Sequence, residues 1–239
     1  MTRTLFRWAA AFIFSLLAGS ACKDRFFDNP FDPDAETGAY EIVATITASG
    51  ISPIDLAFSG DALWVVDDFS RIQALNPNTG AVIRELDPEV EANGICYDGS
   101  DLWLTTKNST QIVKISIING EILRVLDLTR GRFAAIDFYS GRLYICDQLS
   151  NSILQVDSET GTVERTMANP GFSLDGVTFD GSSLWTIDAS QIKIFRLNAD
   201  GGVTSVYQTP ARSPSALASD SGFIWCGDRS QRIYKLRFP

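Results

Sequence analysis

Residues 176–188 read Gly-Val-Thr-Phe-Asp-Gly-Ser-Ser-Leu-Trp-Thr-Ile-Asp. Val177 and Phe179 alternate with small or polar neighbours. Asp180-Gly181-Ser182-Ser183 is a turn sequence, and a second apolar run follows from Leu184 to Asp188. An Asp-Gly step between two apolar runs predicts a hairpin, because such turns need residues that tolerate positive φ or cap their own backbone. The same phrase occurs at 54–67, 94–106, 135–147 and 216–228. Its aromatic anchors are Trp64, Trp103, Tyr144, Trp185 and Trp225, spaced by 39, 41, 41 and 40 residues. A period near forty residues built from short strands marks propeller blades of four strands each.

The remaining strands follow each phrase. After 176–188 come Gln191–Leu197, the turn Asn198-Ala199-Asp200-Gly201, and Val203–Gln208. The last repeat stops after a third strand, Gln231–Phe238, whereas Tyr40–Thr47 precedes the first repeat with the pattern of a fourth strand. The fold class is therefore all-β: a five-bladed propeller of four-stranded blades, its ring closed by the N-terminal strand 40–47 completing the last blade. Closure removes the two edges that an open array would expose. On the innermost strands, Asp55/Ala57, Gly94/Cys96, Ala135/Asp137, Gly176/Thr178 and Ala216/Ala218 form a small-residue face suited to a narrow axis. The anchor aromatics are expected to fill the gaps between blades.

The beginning of the chain carries an address. Arg3 and Arg7 precede an apolar run, Trp8–Leu17, and small residues lead into Cys22. That run is short for a bilayer span and reads as a cleaved signal. Leu-Ala-Gly-Ser-Ala-Cys resembles a bacterial lipoprotein signal, which implies lipidation of Cys22, with Gly19 where a leucine is usual. The expected division is a signal peptide over 1–21, a lipidated cysteine and flexible tether over 22–39, and the propeller over 40–239. This places the propeller in the cell envelope, in the periplasm or outside, held to a bacterial membrane through lipid chains. Lys23 after the cysteine favours the outer membrane by analogy.

Composition narrows the functions. A formal charge of −9 makes nucleic acid an unsuitable partner. There is no histidine, so a catalytic thiol has no imidazole partner, and Cys96, Cys146 and Cys226 read as buried thiols. No cysteine spacing matches a zinc site, and no metal or cofactor is expected. Three residues beyond each anchor stand Asp67, Thr106, Asp147, Asp188 and Asp228, read as caps for the following turns.

In each blade one face collects the hairpin turns, and the other collects the loops into the first strand and between the second and third. Strand 40–47 starts on the hairpin side, which predicts that the hairpin face looks toward the membrane. Lys107, Arg130, Arg132, Arg212 and Arg229 fall on the opposite face, suited to an anionic ligand. Departures from a repeat are where a site is built. Blade two breaks the carboxylate rule at Thr106-Lys107-Asn108, and blade three carries Asp137 on its inner strand. Candidate ligand-binding residues are Asp55, Asn93, Lys107, Asn108, Arg132, Asp137, Asp175 and Arg229.

Over residues 40–239, the pattern Asp-Gly-x-x-Leu-Trp, an Ile-x-x-Leu strand and an Asp/Asn-x-x-Thr-Gly turn resembles bacterial propellers of the NHL and YVTN type. It is also similar to the five-bladed glutamine cyclotransferase-like propellers. The cyclotransferase signature Phe-Thr-Gln-Gly-Leu is absent from the matching stretches 52–58 and 91–97, so no catalytic residue carries over. Streptogramin-lyase propellers rely on histidine, which this chain lacks. Two readings result. The first is an anchored binding or scaffold propeller for an envelope partner or ligand. The second is a propeller enzyme of cyclotransferase or lactonase type, with Asp137 or Asp175 as the acid–base group in an axial site.

Overall fold

The computed structural model describes residues 39–239. The expected signal, Cys22 and nearly all of the expected tether lie outside the described residues. Strand β1 (Glu41–Thr47) precedes four complete blades. The first blade is β2 (Pro53–Phe58), β3 (Leu63–Asp67), β4 (Ile72–Leu75) and β5 (Val82–Leu86). The second is β6 (Ala92–Tyr97), β7 (Leu102–Thr106), β8 (Gln111–Ile115) and β9 (Ile122–Asp127). The third is β10 (Phe133–Tyr139), β11 (Arg142–Asp147), β12 (Ser152–Asp157) and β13 (Val163–Ala168). The fourth is β14 (Gly176–Phe179), β15 (Leu184–Asp188), β16 (Lys193–Leu197) and β17 (Val203–Gln208).

The fifth blade joins the two ends of the described chain. Its sheet runs β1, β20 (Arg232–Arg237), β19 (Phe223–Asp228) and β18 (Pro214–Asp220), with β1 antiparallel to β20 from Glu41 opposite Arg237 to Thr47 opposite Arg232. The expected closure is present. Tyr40 packs against Phe238 with ring centroids 5.4 Å apart, and Glu41 pairs with Arg237 at 2.9 Å.

The core is five apolar clusters, one per seam between blades. Trp64 sits in the cluster shared by blades one and two, Trp103 between two and three, and Tyr144 between three and four. Trp185 lies between four and five, and Trp225 between five and one. Each anchor is thus the wedge that a blade drives toward its neighbour, as the repeat predicts. Turn aspartates help hold them, since the Trp103 and Trp185 indole N–H groups donate to Asp98 and Asp180 at 2.9 and 2.7 Å.

The outer strands share two devices. Each of the five carries an irregularity in pairing near its start, leaving Val43, Ile83, Leu123, Glu164 or Thr204 out of register. Bulges of this kind bend an edge and blunt it against pairing with another chain. Then Arg84, Arg124 and Arg165, at equivalent positions, reach the next blade's outer turn at Ile117 O, Glu159 and Asp200. Ser205 and Ala44 take the place of that arginine in the fourth and fifth blades. At the seam between those two, Tyr40, Tyr207, Trp185 and Phe238 form an aromatic cluster instead.

Candidate functional site

The axis is closed by side chains that cap inner-strand backbone. An innermost strand has one edge with no neighbouring strand, so its N–H and C=O groups need other partners. Asp55, fully buried, points across the axis from the first blade. Its Oδ2 accepts from Ile95 N–H at 2.9 Å and Ile136 N–H at 3.1 Å, joining blades one, two and three at one atom. Gly94 permits this approach, because a Cβ there would stand 2.2 Å from Ala134 O and 3.0 Å from Asp55 Oδ2. Next, Asn93 donates to Phe133 O, and Thr105 donates to Ala134 O. Asp137 Oδ2 accepts from Thr178 Oγ1 and Phe179 N–H at 2.8 and 2.6 Å, linking blades three and four. Ser219 to Phe179 O and Ser215 to Pro53 O complete the circuit. Every seam is pinned at the axis by at least one such bond.

Both axial carboxyls have raised pKa values. Burial pushes Asp55 well above the usual range, against hydrogen bonds from Ile95 and Ile136 and with Asp137 adding repulsion. Burial likewise lifts Asp137 to about 6, against hydrogen bonds from Phe179, Thr178 and Phe138. A folded state that holds a proton more tightly than the unfolded chain loses stability as pH rises between the two pKa values. For Asp137 the window runs from near 4 to about 6, and the loss reaches about 3 kcal/mol. Asp98 and Asp188 behave oppositely. Burial opposes their ionisation, but hydrogen bonds from Lys114 to Asp98 and from Ser190 and Gln191 to Asp188 outweigh it, holding both at about 2. Their contribution is present above pH 4 and is lost as pH falls toward 2. Asp137→Asn is expected to flatten the decline in unfolding free energy between pH 4 and 6. An unchanged pH profile would show that Asp137 does not carry it.

The caps after each anchor bind more backbone than the sequence suggests. Asp147 accepts from Leu149 N–H in its own turn and from Arg132 N–H in the loop entering its blade. Asp188 does the same for Gln191, Phe172 and Ser173, and Asp228 for Ser230 and Arg212. In blades three, four and five one carboxylate therefore ties together two loops on the face opposite the hairpin turns, whereas Asp67 of blade one accepts only within its own turn, from Phe69 and Arg71. In blade two Thr106 stands there, and its hydroxyl donates only to Gln111 O. The 107–110 turn, with Asn108 at φ 54°, is left without that brace.

At this break lies a cavity of about 670 Å³ between the second and third blades. Asn93, Lys107, Asn108 and Arg132, four of the expected residues, line it together. Sequence reasoning missed Ser109, Thr110, Gly131, Phe133, Gln148 and Leu149, which with Thr106 complete its wall. The only signal for Gln148 and Leu149 was their place just after the cap Asp147.

The other expected residues lie outside this cavity. Asp55 and Asp137 are engaged along the axis. Asp175 accepts from Ser173 Oγ and Ala189 N–H, bracing the loops of blade four and not meeting Asp137. Arg229 is paired with Asp68 at 2.8 Å, bridging blades five and one. Lys107 Nζ donates to the backbone carbonyl of the same Asp68. Cys96, Cys146 and Cys226 are buried free thiols whose pKa values burial raises.

Fold and site together place the chain in the class of five-bladed β-propellers. No family model matches it, and no curated protein is significantly similar to it in sequence. Among solved structures it is similar to a Myxococcus xanthus glutaminyl cyclase. The TM-score is 0.71 at 14% identity, over 84% of this chain and 98% of that one. The WD40 propeller domain of Doa1 aligns with TM-score 0.53 at 13% identity, over 83% and 97%. The propeller domain of Myceliophteria thermophila Cps50 (Swd1) aligns with 0.56 at 10%, over 84% and 100%. At such identities the likeness is one of fold, and function rests on the site.

Proposed function

We propose that the chain is a membrane-anchored, extracytoplasmic binding propeller that takes its ligand on the open face, above the seam of blades two and three. The observation that carries this reading is the coincidence of the cavity with the one blade lacking a capping carboxylate. In blades three, four and five that carboxylate knits the loops of this face together, and in blade one Asp67 still caps its own turn. Cys22 supplies the anchor, and β1 begins on the outer edge of the fifth blade, away from the seam of blades two and three. The test has two arms. Palmitate label should enter the wild-type chain and not Cys22→Ser, which should leave the membrane fraction. Thr106→Asp should restore the loop brace and abolish the thermal stabilisation that a small-molecule extract of the cell envelope confers on the wild type. A wild type that takes no label sinks the anchor, and an extract effect indifferent to Thr106→Asp sinks the site.

A second reading is favoured by one observation, the raised pKa of Asp137 in a fold like that of a glutaminyl cyclase. Asp137 would then act as an acid–base group at the axis. Turnover of an N-terminal glutaminyl peptide, abolished by Asp137→Asn but not by Thr106→Asp, would favour this enzyme reading. Asp175→Asn serves as its companion variant.

A further inference from the structure

The cavity between blades two and three has a charge opposite to that of the chain. Asp and Glu outnumber Lys and Arg by 29 to 20, yet no acidic residue lines it. Its ionisable groups are Lys107 and Arg132. The cap position that would have supplied a carboxylate is Thr106. Among the described residues, no protein group accepts a hydrogen bond from the Arg132 guanidinium, and the residue is exposed. By contrast Arg71, Arg124, Arg165 and Arg229 are each occupied by a neighbouring acid. Lys107 is oriented by the Asp68 carbonyl and has further N–H donors to offer. The Ser109 hydroxyl accepts from Gln111 N–H, which leaves its proton to donate into the cavity. Beside these donors, Leu149 is 58% exposed.

From this arrangement we propose that the ligand is a small organic oxyanion, a carboxylate or phosphate ester, with its charged group on Arg132 and Lys107 and its apolar part on Leu149. The inference rests on the binding reading above and names the chemistry of that same site. A guanidinium fork matches the two oxygens of a carboxylate or phosphate, and an ammonium adds a point charge. About 670 Å³ is the size of pocket that takes a whole organic molecule, well beyond a bare inorganic ion. Apolar contact at the exposed Leu149 gives that molecule's uncharged part a place to rest.

The test uses the full mature chain and three probes: N-acetyl-L-leucine, its neutral isostere N-acetyl-L-leucinamide, and phenyl phosphate. Amide NMR shifts locate binding, and titration gives affinity. One or both oxyanion probes should shift residues 106–110 and 131–132, and their relative affinity separates carboxylate from phosphate. The amide should bind at least about tenfold more weakly than its acid. Arg132→Gln should weaken binding about tenfold or more, with Arg132→Lys recovering part of it, and added salt should weaken the wild type. Because Arg132 makes no side-chain bond among the described residues, its variants should melt as the wild type does. Oxyanion affinities no tighter than about 10 mM, or unchanged in Arg132→Gln, would overturn the proposal. If the amide binds equally well at the same loops, the charge assignment falls and the binding site stands. Shifts confined to the surroundings of Asp137 would remove both.

Discussion

A chain that begins at Ala48 will fail to give a folded monomer. Removing 39–47 strips the fifth blade of its outer strand and leaves the edge of β20 unpaired, an invitation to pairing between chains. It also takes Ile46 from the seam with blade one and Tyr40 from the aromatic cluster with blade four. Each buried large apolar side chain is worth about 1.5–3 kcal/mol, and six lost strand pairings add to that. Whole domains have only about 5–15 kcal/mol in hand. Size-exclusion chromatography with light scattering and near-ultraviolet circular dichroism should therefore show an aggregated or unfolded species. Adding a synthetic 39–47 peptide should recover part of the native signal. A truncated monomer with the native melting temperature would refute the closed ring.

Asp55→Ala should cost about 4 kcal/mol at about pH 5, since it leaves two buried N–H groups without an acceptor, at about 1–3 kcal/mol each, and opens a small void. Asp55→Asn keeps one carbonyl acceptor and should cost only about 1 kcal/mol. Denaturant titration of both variants measures the difference. The contrast matters because Asp55 looks like a catalytic carboxylate by burial and raised pKa, while its hydrogen bonds are those of a brace. Equal losses for the two variants would mean that an acceptor for the Ile95 and Ile136 N–H groups is not what holds the axis.

Architecture was legible because it repeats. Five anchors at nearly constant spacing predict five seams, and each anchor is found in its own seam cluster. The strand at 40–47 could be matched to the missing position by its likeness to 81–86. The site was only partly legible. Thr106 announced itself by breaking a rule, and Lys107, Asn108 and Arg132 follow from the loops that rule controls. Asn93, expected near the axis, serves both that circuit and the cavity wall, and Asp175 braces loops of its own blade, both for a backbone reason. The inner strands shift register near their starts, at 53/55 and 92/94, or begin late, at Gly176. Counting by twos therefore fails at those residues. The pairing of Arg229 was not legible because its partner Asp68 is 161 residues away in sequence, and no local pattern reports such a pair.

Tyr40 and Phe238 touching has a practical corollary for where this disc can be extended. Cargo fused after Pro239 would dangle from the same rim point as whatever precedes residue 39, leaving the mouth unobstructed. The molecule should likewise tolerate re-wiring: joining 239 to 39 by a short linker and cutting at the 198–202 turn would shift both chain ends by one sector without redrawing the wheel.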